Sequence, residues 1–158
     1  YTLPFLVHAQ ATVVHAFEWN INSVASLIVN LACAGVEKDR CVLHYGDNNC
    51  AVFGKDATMS ITSPPSSSDV DNYNGYTLRD VNHETSDERC YWANYLTDFA
   101  DRVCLGLLPS SRGGWEAAVK LLSRKGGILH VHNIVNAVDV GAWVIEMCAT
   151  FKELFVIS

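Results

Sequence analysis

Hydrophobic and polar positions along this chain switch repeatedly between a two-residue and a helical period. Thr12-Val13-Val14-His15-Ala16-Phe17-Glu18 is short, β-branched and aromatic, and ends on an acid, which predicts a buried strand. Asn20 or Asn22 can cap the helix that follows. Its apolar residues Ile21, Val24, Leu27, Ile28 and Leu31 recur at helical spacing, and Gly35 can stop it. Cys41-Val42-Leu43-His44-Tyr45 predicts a second strand, ending in the turn-forming Gly46-Asp47-Asn48-Asn49.

The same alternation returns in the second half. Asp101 to Leu108 reads as a third strand broken by Pro109, and Ser110 or Ser111 can cap a helix carrying Trp115, Ala118, Val119 and Leu122. Gly126-Gly127 closes that helix, and Ile128 to His132 is a fourth strand. Asp139 then caps a last helix with Val140, Trp143, Val144, Met147, Cys148, Phe151 and Leu154 on one face. Trp19, Trp115 and Trp143 are expected to pack in the core or at its rim. Strands alternating with helices predict an α/β fold of Rossmann type, a mostly parallel sheet with helices on both faces.

One stretch breaks the pattern. Thr62-Ser63-Pro64-Pro65-Ser66-Ser67-Ser68 and the acids and asparagines around it offer too little apolar surface to order themselves, so residues 54–89 are expected to form a mobile acidic insert. The run Tyr91-Trp92-Ala93-Asn94-Tyr95-Leu96 is expected to dock back on the core.

Composition adds limits. A chain of 158 residues fits one domain, here read as residues 1–158, and buries roughly two-thirds of its unfolded surface. No apolar run reaches the roughly 18 residues that span a bilayer. The first residues, Tyr1-Thr2-Leu3-Pro4, resemble a chain entered midway. Six cysteines include no C-x-x-C pair and several sit in apolar periodic segments, which favours structural cysteines over a zinc site and predicts a reduced, intracellular protein, expected in the cytoplasm. The net charge of −6 is concentrated between Gly54 and Asp98, where eight acids face three bases. That distribution excludes a basic stripe able to grip nucleic acid unaided.

Ligands of doubly wound sheets bind outside the carboxyl ends of the strands, and three candidate groups fall on that edge. Glu18 closes the first strand, where a carboxylate can accept both hydroxyls of a ribose. Asp47 and Asn48 follow the second, where a side-chain acceptor and a backbone N–H can read an adenine edge. Pro109-Ser110-Ser111 follows the third, where a reacting group would lie. Taken singly, each has an ordinary reading, because turns favour acids and Asn and helices favour serine caps. Spacing alone leaves nicotinamide, flavin and S-adenosylmethionine all open. His130 and His132 share a strand face but no third metal ligand has an evident position. Asp101 could take a proton, although beginning a strand is its plainer role.

Four segments occur in order: Ala16-Phe17-Glu18-Trp19-Asn20, Tyr45-Gly46-Asp47-Asn48, Ala100 through Ser111 with its Arg102-Val103-Cys104-Leu105-Gly106-Leu107-Leu108-Pro109 core, and Gly126-Gly127-Ile128-Leu129-His130-Val131-His132. Together they closely resemble the wybutosine-synthesizing tRNA aminocarboxypropyltransferases, relatives of the tRNA guanine-37 N1-methyltransferases. The resemblance covers nearly everything but the insert and weakens after His132. It implies a Rossmann-like methyltransferase fold using S-adenosylmethionine as cofactor, with tRNA(Phe) as substrate, no metal and no membrane. It further implies transfer of the 3-amino-3-carboxypropyl group to C7 of 4-demethylwyosine at position 37. Glu18 would take the ribose hydroxyls, Asp47 with Asn48 the adenine, and Pro109-Ser110-Ser111 would lie near the sulfonium and the target base. Methyl transfer to guanine-37 and an inactive binding module are the alternatives. The family's first strand and glycine loop would precede Tyr1, leaving Tyr1–Ala11 as the rest of the following helix and two half-sheets with unpaired edges. Most tRNA contacts would then lie outside this chain.

Overall fold

The computed structural model describes residues 1–46, 52–53, 72–73, 76–80 and 94–157. The chain forms two compact units, Tyr1–Ala93 and Asn94–Ser158. Among the described residues its strands fall into two separate sheets, the two half-sheets expected from the sequence.

In the first unit, strand β1 (Val14–Glu18) pairs in parallel with β2 (Cys41–Tyr45), and β2 pairs in parallel with β4 (Tyr76–Asp80). The two-residue β3 (Asn72–Tyr73) is antiparallel to β4, giving the order β1-β2-β4-β3. A tight helical turn, Pro4–His8, precedes β1 and buries Leu6. Helix α1 (Ile21–Cys33) connects β1 to β2 and packs Val24, Ile28 and Leu31 onto the sheet with Leu43, Cys41, Tyr76 and Leu78. The expected face is present except at its start, where Ile21 is exposed.

Both ends of α1 are set locally. Asn20 accepts a hydrogen bond from the Asn22 N–H through its side chain at 3.0 Å. At the other end, Gly35 N–H donates to the Ala32 carbonyl and Val36 N–H to the Leu31 carbonyl, each at 3.1 Å. That pair of bonds is a Schellman closure, and it needs a left-handed residue, here Gly35 at φ +65°. Val36 and Leu31 meet in the core, so the closing turn is also anchored by burial.

Part of the stretch expected to be a mobile insert is sheet. Within residues 54–89, Tyr76-Thr77-Leu78-Arg79-Asp80 carries strand alternation and supplies β4. Tyr76 is buried and its hydroxyl donates to the Val36 carbonyl at 2.8 Å. The rest of that stretch, apart from Asn72–Tyr73, lies outside the described residues.

The second unit contains a parallel pair, β5 (Arg102–Leu105) with β6 (Ile128–Val131), joined through α2 (Trp115–Leu121) and followed by α3 (Val140–Ile157). Strand β5 stops at Leu105, short of the expected Leu108, because its partner ends at Val131; Leu107 and Leu108 are exposed. A 3-10 turn, Arg112–Gly114, separates Ser111 from α2, and the helix ends at Leu121, well before Gly126. Trp115, Val119 and Phe151 form the centre of this unit, flanked by Leu105, Leu129, Val131, Met147 and Leu154. Of the run expected to dock back, Leu96 is fully buried and Tyr95 is 45% exposed, and Tyr91-Trp92-Ala93 lies outside the described residues.

Candidate functional site

The carboxyl end of β1 presents Glu18. Its Oε1 accepts the backbone N–H of Asn20 at 2.8 Å, which fixes the carboxylate beside the start of α1. The side chain is half-buried, so the group keeps access to solvent. One residue beyond β2, Gly46 N–H donates to the Glu18 carbonyl at 3.2 Å. Gly46 sits at φ +121°, a backbone state closed to most side chains, so this turn requires glycine. Asp47 and Asn48, the expected adenine readers, lie outside the described residues.

Behind Glu18 lies a polar row that the sequence reading missed. Phe17, His44 and Arg79 are register neighbours across β1, β2 and β4, on the face opposite the Leu43 core. Arg79 Nη1 lies 3.2 Å from His44 Nδ1, and His44 Nε2 lies 2.8 Å from His15 Nδ1. A guanidinium can only donate, so His44 Nδ1 accepts and its Nε2–H donates to His15. Both imidazoles are therefore neutral, and their environment agrees. Burial, with the Arg79 charge second, lowers His15 to about 4; burial, then Arg79 and His15, holds His44 well below 6.5. Phe17 stacks on His44 at a ring separation of 4.4 Å. Only the strand register reveals this row, since the three polar residues are spread from position 15 to 79.

In the second unit, the segment after β5 carries Pro109, Ser110 and Ser111. Ser110 is exposed, and its Oγ accepts the Arg112 N–H at 3.3 Å. Ser111 is 1% exposed, and its Oγ accepts the indole N–H of Trp115 at 3.2 Å. Its hydroxyl is thus committed inward. Ile134 N–H donates to the Pro109 carbonyl at 2.9 Å, joining this segment to the chain after β6. Asp101 occupies the opposite end of β5, where its carbonyl accepts the Ile128 N–H at 3.0 Å. Four strand residues put it roughly 13 Å or more from the Pro109 segment, so beginning the strand is its role.

The remaining candidates resolve simply. His132 Nδ1 lies 3.1 Å from the Leu105 carbonyl, so that nitrogen carries the proton. Among the described residues, no group of three or more His, Cys, Asp or Glu could hold a metal ion, and no helix is long and apolar enough to cross a membrane. Cys33, Cys41, Cys104 and Cys148 are free, and burial pushes the Cys41 thiol up to about 12. Trp115 is core, whereas Trp19 is 67% exposed rather than packed, because it follows Glu18 out of the sheet.

No family model and no solved structure matches the chain. Curated proteins do. It is 38% identical over 138 residues to the tRNA wybutosine-synthesizing protein 2 homolog of Danio rerio, covering 87% of this chain and 23% of that protein. The homolog of Macaca fascicularis is 37% identical over 155 residues, covering 97% of this chain and 25% of the relative. The rice protein named tRNA wybutosine-synthesizing protein 2/3/4 is 34% identical over 143 residues, which is 10% of its length. The chain spans about a quarter of the vertebrate relatives it matches, and to that quarter of the tRNA wybutosine-synthesizing protein 2 homologs it is homologous over most of its own length.

Proposed function

We propose that this chain is part of the catalytic domain of a tRNA-modifying transferase of wybutosine biosynthesis, with a Rossmann-like methyltransferase fold that binds S-adenosylmethionine. The observation that carries this reading is the 38% identity across 138 residues to a protein named for wybutosine synthesis. In this reading the 3-amino-3-carboxypropyl group is transferred to C7 of 4-demethylwyosine at position 37 of tRNA(Phe), in the cytoplasm. With a net charge of −6, most phosphate contacts to the tRNA come from outside this chain.

Glu18 fits the cofactor. Two ribose hydroxyls need acceptors, and a carboxylate is acceptor-only, fixed here through Oε1 and open to solvent. Asp47 and Asn48 take the adenine edge in the same reading. The bound sulfonium supplies activation of three carbons, so the protein's task is to choose which carbon faces the nucleophile. That choice is one of orientation, made by the Pro109-Ser110-Ser111 segment beside the reacting group.

The test is a product assay on the protein expressed at the full length its gene encodes. Methylthioadenosine release with tRNA is expected. Glu18→Ala should weaken S-adenosylmethionine binding about 10- to 100-fold, matching the roughly 1.5–3 kcal/mol of a hydrogen bond to a charged group. Release of S-adenosylhomocysteine would instead establish a methyltransferase, and absence of turnover with retained binding would establish a binding module.

A further inference from the structure

The segment Pro109-Ser110-Ser111 is held by more than its own turn. Only one orientation of the Asn133 amide satisfies both its ends. In it, Nδ2 donates to the Pro109 carbonyl at 2.6 Å and to Ser110 Oγ at 3.2 Å, while Oδ1 accepts the Trp143 indole N–H at 2.8 Å. Asn133 follows β6, and an isolated antiparallel bridge sets it opposite Ser110. Trp143 belongs to the first turns of α3. One amide therefore links the loop after β5 to the last helix, with donor and acceptor roles fixed at each end.

The same segment is gripped from its other side. The Trp115 indole donates to Ser111 Oγ, and Trp115 is itself 3% exposed and packed on Phe151 at a ring separation of 4.9 Å. Phe151 lies on α3, so both indoles refer the segment to one rigid body. Two of the three candidate residues are fixed through main-chain and inward contacts, leaving Ser110 as the serine that faces outward.

We propose that Asn133 is a positioning residue that fixes Pro109-Ser110-Ser111 for group transfer, with Trp143 holding Asn133 in turn. This rests on the reading of that segment as lying beside the reacting group. Reaction by orientation is steep in distance, since a displacement of about 1 Å can cost on the order of a hundredfold in rate. Loss of the clamp should therefore lower kcat far more than it weakens cofactor binding.

The experiment compares the full-length protein with Asn133→Ala, Asn133→Asp and Trp143→Phe. Asp has the shape of Asn and still accepts from Trp143, but an ionised carboxylate cannot donate to the Pro109 carbonyl. If Asn133 acts only by holding Trp143, Asn133→Asp should match the parent. If it positions the segment, both Asn133 variants should lose roughly tenfold or more in kcat, with KM for S-adenosylmethionine changed less than about threefold. A second readout is the emission of Trp143, taken as the difference from Trp143→Phe, during titration with S-adenosylmethionine. The parent should respond and Asn133→Ala should not.

The outcomes separate the two ideas. Methylthioadenosine release with parental kcat in both Asn133 variants overturns the positioning role and leaves the reaction standing. No methylthioadenosine from the parent, with a Trp143 response that vanishes in Asn133→Ala, overturns the reaction and keeps the clamp. A parent that neither releases product nor responds overturns both.

Discussion

The two units solve the same problem with very different means. Among the described residues, the first packs a four-stranded sheet under α1, with nine buried residues in one cluster and a polar row on the sheet's other face. The second has two strands among the described residues, and one cluster of its core joins Trp115, Val119 and Phe151, while Leu96, Ala118, Leu121 and Leu122 are buried beside α2 and its flanks. A two-stranded sheet is marginal unless something packs against it, and here α2 and α3 provide that packing. Much of α3 remains uncovered even so: Ile145, Val156 and Ile157 are 73%, 87% and 83% exposed. The difference lies in what fills the clusters: two large rings, Trp115 and Phe151, anchor the one beside β5 and β6, whereas the first unit's is mostly aliphatic.

The largest test removes one of those rings. Trp115→Ala should cost about 3–5 kcal/mol, because it empties the centre of the smaller core and leaves the buried Ser111 hydroxyl without its donor. Segment-resolved hydrogen exchange should show protection lost across Arg102–Leu105 and Ile128–Val131 and kept across Cys41–Tyr45. Equal loss in both places would show that the two units unfold together and would undo the comparison.

Acid should act the other way round. His15 titrates near 4 when folded and near 6.5 when unfolded, so between those values the unfolded chain binds more protons. Its contribution is fully present above about pH 6.5 and is lost as pH falls toward 4, a change on the order of 3 kcal/mol. His44 adds loss of the same sign. In the second unit the indole-to-hydroxyl and indole-to-amide contacts carry no titrating group, and the His132 Nδ1–H bond to the Leu105 carbonyl keeps its donor in either protonation state. Acid denaturation followed by exchange should therefore open the first unit's strands earlier, and His15→Gln, which keeps an acceptor for His44, should flatten that pH dependence.

A smaller effect sharpens the account of α1. Gly35→Ala places a Cβ in the left-handed region and should cost about 1–2 kcal/mol, read as a lower thermal midpoint. The site is open around the added carbon, so the loss measures conformational strain alone.

What was legible in the sequence divides along physical lines. The strand Cys41–Tyr45 and the stop at Gly35 are written in local signals and lie where those signals place them; the first strand begins at Val14 rather than Thr12, and of the two candidate caps Asn20 is the one used. Strand β4 was hidden by composition, since five residues with strand alternation sit inside a stretch dominated by Ser, Pro and acids. The His15–His44–Arg79 row depends on the register between three strands, and the Asn133 clamp on a contact between residues 24 positions apart at its widest. Neither leaves a periodic trace. Of the candidate site, Glu18 was legible as a strand-end acid, but the inward commitment of Ser111 required the position of Trp115.

The smallest expected effect concerns the surface link between the Ser111 turn and α3. Arg112 Nη1 pairs with Glu146 Oε1 at 2.7 Å, with the two side chains 61% and 53% exposed. A pair so well solvated contributes about 0–1 kcal/mol, so Glu146→Gln should leave the thermal midpoint nearly unchanged. Arg112→Ala should cost a little more, because the guanidinium also lies over the Trp115 ring, 5.6 Å from its centroid. If Glu146→Gln instead matched Trp115→Ala in its effect on exchange at Arg102–Leu105, exposed charge and not the buried rings would be holding the second unit together. The short distance is no guide here: water competes for both charges at this surface, whereas nothing competes for the indole N–H that Ser111 accepts.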